Sequence, residues 1–209
     1  MNRPARVVVA LLLAAAAFAP ARGQDPRLGN RLDAPSRVAI IALLDSARAQ
    51  GIPVEPLVQK VNQGQAMGVD GPRIVAAVRT LTREMATAHR ALGTVATADE
   101  IQAAASAVHA GVPAVELGKI KKQSGLRRSL SLPFTVLADI VSRGVPVEAG
   151  VNAIRSLVGA GAKDADINNF QRNVSGDIEK GAPPAAAAET RAKAVPAGKP
   201  ESTKPEQQD

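Results

Sequence analysis

Histidine, cysteine, activated serine and clustered acids are the side chains from which catalytic and metal sites are usually built, and this sequence carries few in useful patterns. Among its 209 residues there are two histidines and no cysteine. His89 and His109 have no histidine partner one helical turn away. Zinc takes three or four converging ligands, so no metal site is expected, and both imidazoles read as surface or packing positions.

Nucleophile chemistry fares no better. No serine has lysine three positions on, and no Gly-x-Ser-x-Gly elbow occurs. The pairs Gly118-Lys119 and Gly198-Lys199 are followed by Ile120 and Pro200, where a phosphate-binding loop needs Ser or Thr. Asp164-Ala165-Asp166-Ile167-Asn168-Asn169 opens like a calcium loop. It then places Asn169 where the turn wants glycine and Ser175 where a bidentate glutamate belongs. No catalytic residue, metal or cofactor is expected.

One local concentration of charge stands out. Lys119, Lys121, Lys122, Arg127 and Arg128 follow Glu116 with no further acid between them. Such a run is either a solvated face or a docking patch for anionic envelope polymer, lipid headgroups or an acidic partner. Nucleic acid is not expected, because no aromatic side chain lies nearby to stack on a base.

Charge and hydropathy along the chain set the context. Arg3 and Arg6, the apolar run Val7–Ala19 and the small residues Ala21 and Gly23 have the form of a secretory leader over residues 1–23. The run is too short to span a bilayer, which takes about 20 residues. Export to the periplasm or medium, in a bacterial source, is the expectation. No later segment is apolar enough to cross a membrane. The leader holds three of the 26 basic residues, so 23 remain against 19 acidic ones, a mild excess. Without cysteine, stability has to come from burial of Val, Ile, Leu and Ala, because Phe134 and Phe170 are the only aromatics after the leader.

The elements that would position these residues are helices. Apolar residues recur at helical spacing from Asp33 to Lys180, and strand-like alternation is absent. The fold class predicted is all-α: about eight short helices in antiparallel hairpins. The corners are written as Gly-(Val/Ile)-Pro, at Gly51-Ile52-Pro53, Gly111-Val112-Pro113 and Gly144-Val145-Pro146. Glycine takes the left-handed conformation that closes one helix, and proline fits the first turn of the next. Thr97-Ala98-Asp99-Glu100 has the spacing of a capping box. The first helix is expected to turn Val38, Ile41, Leu44 and Ala47 inward.

Laying Gly51 over Gly144 pairs Pro53 with Pro146, Val58 with Val151, Ile74 with Ile167 and Leu81 with Val174. That correspondence predicts a degenerate array of helical repeats. Residues 24–35 are expected to be a flexible linker and 36–180 the helical domain. Residues 181–209, rich in Ala, Pro, Lys and Glu, are expected to be a disordered tail, since they hold almost no large apolar side chain. The function that fits is a non-catalytic exported protein whose helices present a surface to a protein or envelope partner. The alternatives are an anionic-surface binder acting through residues 119–128 and, more weakly, a hydrolase without a recognisable motif.

Overall fold

The computed structural model describes residues 27–124 and 128–195. Residues 1–26, which include the segment expected to be a leader, residues 125–127, with Arg127, and residues 196–209 lie outside them. Within the described residues the chain is helical throughout, with no strand: α1 (Ala34–Ala49), α2 (Glu55–Ala66), α3 (Gly71–Leu92), α4 (Ala98–His109), α5 (Ala114–Ser124), α6 (Ser131–Ser142), α7 (Val147–Gly159), α8 (Asp164–Glu179) and α9 (Pro184–Ala194).

The corners repeat one local solution. Gly51, Gly68, Gly111, Gly144, Gly161 and Gly181 all have φ between 68° and 98°, where a Cβ would be strained. After each glycine, the next N–H reaches back over the last turn: Ile52 to the Ala47 carbonyl at 2.9 Å, Val145 to Ile140 at 3.0 Å, Ala162 to Leu157 at 3.0 Å. This satisfies carbonyls that the helix end leaves open. Ile52, Val112, Val145 and Ala162 are buried, so the residue after the glycine also anchors the corner in the core.

Helix starts are fixed by side chains as well. The Asp33 carboxylate accepts from Ser36 N at 2.8 Å and caps α1. Hydrogen bonds from the Ser36 backbone and hydroxyl hold its pKa below the ordinary aspartate range. The capping box at α4 forms as the spacing predicts, with Glu100 N to Thr97 Oγ1 at 3.2 Å and Thr97 N to Glu100 Oε2 at 3.1 Å. At α8 the cap residue is Lys163, and Asp166 accepts from Lys163 N at 2.9 Å.

Packing follows the logic of a repeat array. The odd-numbered helices stack in sequence, α1 on α3, α3 on α5, α5 on α7 and α7 on α9, while α4 packs on α6 and α6 on α8. The core between them is aliphatic around Phe134 and Phe170, both fully buried. Truncating either ring to alanine removes about 3–5 kcal/mol. Glycines admit the closest approaches. A Cβ on Gly118 of α5 would come within 3.1 Å of the Ala91 carbonyl oxygen of α3.

Three expectations need correction. Among the described residues one helix is added to the expected eight, Pro184–Ala194, which packs on α7 and α8. The tail is therefore ordered over that stretch. Its Ala187, Ala188 and Ala192 are small enough to lie close on larger neighbours that supply the apolar area, and Arg191 pairs with Asp177 at 2.6 Å. Residues 27–33 are not a free linker either: Leu28 and Leu32 are buried, and Arg27 pairs with Glu55 at 2.9 Å. In α1, Ile40, Leu44 and Ala47 face the core, whereas Val38 is 69% exposed. That helix has apolar residues on more than one side, so periodicity alone does not fix its phase.

Candidate functional site

The basic run divides when it folds. Lys121 points inward, its side chain only 13% exposed, and meets the carboxylate of Glu100, which is 3% exposed. Lys119 stays on the surface and pairs with Glu116 one turn earlier at 2.7 Å. Lys122 is exposed and makes no ion pair among the described residues. Arg128 is mostly buried, with Nη2 3.9 Å from Asp164 Oδ1. Arg127 lies outside the described residues. Of the five, Lys119 and Lys122 share one surface, and Lys121 and Arg128 are turned to other work.

Glu100 is the centre of that other work. Its Oε1 accepts from Leu130 N at 2.9 Å and Lys121 Nζ at 3.0 Å, and its Oε2 accepts from Lys121 Nζ at 2.9 Å and Thr97 N at 3.1 Å. One carboxylate thus closes the start of α4, holds α5 and receives the N-terminal backbone of α6. Burial opposes its ionisation, but the hydrogen bonds from Leu130, Lys121 and Thr97 outweigh that and leave its pKa below the ordinary glutamate value. The capping box was readable from spacing; the links to Lys121 and Leu130, 21 and 30 residues away, had no local signal.

A separate feature is an open groove of about 650 Å³ whose walls come from α2, α3, α4 and α6. Four of its twelve lining residues are alanines, Ala76 and Ala77 on α3, Ala105 on α4 and Ala138 on α6, and Thr80 and Leu81 of α3 line it with them. The rim carries both signs of charge. Lys60 of α2 is exposed and free of an ion pair among the described residues. Across from it, His109 Nδ1 lies 2.7 Å from Glu84 Oε1, with the imidazole largely exposed and the carboxylate mostly buried. Asp139 also lines the groove, held by Arg143 at 3.0 Å and Gln171 at 2.8 Å.

A carboxylate bound to Nδ1 orients an imidazole and leaves Nε2 available, which is half of a nucleophile-activating arrangement. Among the described residues no hydroxyl is hydrogen-bonded to that imidazole. Ser106, the groove serine on the same helix, donates its hydroxyl to the Gln102 carbonyl at 3.2 Å. Among the described residues, no group of three or more His, Cys, Asp or Glu side chains is placed to hold a metal ion. The Glu84–His109 pair joins α3 to α4 across 25 residues, so nothing in the local sequence announces it.

No helix among the described residues is long and apolar enough to cross a membrane. Compared with known protein families, curated proteins and solved structures, the chain matches none.

Proposed function

We propose that this protein is a non-catalytic, exported helical scaffold that receives a helical segment of a partner protein in the groove between α2, α3, α4 and α6. The observation that carries the reading is a lining in which alanines from three helices lie among side chains of mixed charge. Short side chains let an incoming helix approach closely, since interaxial distance is set by the residues at the contact. A rim bearing Lys60 on one side and Glu84, His109 and Asp139 on the other favours one orientation of a partner with complementary charges. Stacked helical hairpins commonly use extended surfaces in this way. The leader supports the exported setting.

The test is site-specific photocrosslinking in the native host, with the crosslinking residue at exposed Ala76 or Ser106 in the groove, and at Glu189 on α9 as a control. The groove positions are expected to give a discrete adduct that the control does not, identified by mass spectrometry. Identical patterns from all three positions, or none from the groove, would count against the proposal. Ala76→Arg should abolish the Ser106 adduct while leaving the circular dichroism unchanged.

A further inference from the structure

A second groove, of about 490 Å³, lies between α3 and α5, where the two surface lysines of the basic run meet a residue from another helix. Arg90 of α3 lines it together with Lys119 and Lys122 of α5. The floor is apolar and backbone-rich, formed by Ala91, Ala114 and Gly118. At its edge stands Val115, 62% exposed. Arg90 donates to the neighbouring Thr87 hydroxyl at 3.2 Å and forms no ion pair among the described residues. The local acid is Glu116, spent on Lys119 in an exposed pair at 2.7 Å, the kind that contributes little and is readily exchanged. The groove therefore has an uncompensated positive charge contributed by two helices, beside an aliphatic side chain left in water.

We infer that this groove docks the protein on an anionic phospholipid surface, with Arg90, Lys119 and Lys122 meeting headgroup phosphates and Val115 entering the interface. Charge complementarity alone would fit any polyanion. Val115 beside the basic groups favours lipid over a soluble polyanion, because a bilayer interface gives an exposed aliphatic side chain something to bury against. Basic side chains near an anionic membrane attract it additively and over no more than a Debye length. This site is separate from the first groove, with different lining residues, and it does not depend on the protein-binding reading.

The experiment is cosedimentation of the mature protein with phosphatidylglycerol–phosphatidylcholine vesicles, set against pure phosphatidylcholine vesicles and against soluble inorganic polyphosphate. Binding is expected to the anionic vesicles only and to weaken as salt is raised. The triple variant Arg90→Gln/Lys119→Gln/Lys122→Gln should lower the binding constant on the order of 100-fold. Val115→Ser should lower it about three- to tenfold. The equally neutralised Arg73→Gln/Arg79→Gln/Lys193→Gln should bind like the parent. All these positions are exposed, and unchanged circular dichroism verifies the fold. The inference is overturned if the parent protein stays in the supernatant with anionic vesicles. It is equally overturned if the first triple variant sediments as the parent does, or if polyphosphate is bound and vesicles are not.

Discussion

The passage from α5 into α6 and the corner from α8 into α9 are held in opposite ways. At the second corner the chemistry is local: Gly181 adopts φ 91°, Ala182 N reaches back to the Asp177 carbonyl at 2.9 Å, and Pro183 leads into the next helix. Asp177 and Arg191 then clasp α8 to α9 on a partly exposed surface. At the first, a carboxylate 30 residues away in sequence receives the Leu130 N–H and the Lys121 ammonium inside the protein. A corner written in neighbouring residues can be substituted with local consequences. One written in a buried ion pair couples three helices at once.

The largest expected effect follows from that contrast. Glu100→Gln leaves the part-buried Lys121 ammonium without its counterion, and breaking such a pair costs up to about 3–5 kcal/mol. Urea unfolding should show the loss as a lowered midpoint, and adding Lys121→Met to the variant should recover a large part of it. A loss under 1 kcal/mol would remove the distinction between the two corners. Next in size is Gly144→Ala, which forces a Cβ into the left-handed region at φ 94° and should cost about 1–2 kcal/mol by the same assay. An unchanged midpoint would mean that the corner relaxes freely.

Acid sharpens the comparison. The pKa of Glu100 is lowered in the folded protein from its ordinary value of 4.5. Its contribution is therefore complete above that value and is lost as pH falls through the lower folded value. The stability gap between the parent protein and Glu100→Gln should narrow as pH drops below 4.5 in matched urea titrations. A gap that widens toward acid would reverse the sign and contradict the assigned hydrogen bonding. The smallest effect belongs to the exposed clasp. The Asp177 carboxyl is also held below its ordinary range, chiefly by hydrogen bonding to Arg191. Asp177→Asn should speed amide hydrogen exchange in α9 while exchange in α4 to α6 stays as it was. Faster exchange throughout the chain would show that α9 is coupled to the whole array.

The same contrast explains what the sequence discloses. The Gly-(Val/Ile)-Pro corners and the capping box at Thr97 are contacts between near neighbours, and both appear where the residues place them, with each proline lying just before the next helix rather than in its first turn. α9 carries the same corner in diluted form, Gly181-Ala182-Pro183, with alanine replacing the larger apolar residue. The alanine-rich helix that follows has a weak stripe of its own and is ordered by area that α7 and α8 provide. Val38 misleads because α1 is apolar on two sides. The division of the basic run was invisible, since it depends on Glu100 approaching Lys121 from another helix. For the same reason neither groove could be read along the chain: Arg90 joins Lys119 and Lys122, and Glu84 joins His109, only through packing.

Lysine labelling on the native protein tests this division most directly. With a limiting amine-reactive reagent and mass spectrometric readout, Lys119 and Lys122 should be modified at the rate of exposed lysines. Lys121 should be modified only under conditions that unfold the chain. Equal reactivity of all three in the native state would contradict the buried Glu100–Lys121 tie, and with it the account of how the centre of the array is held.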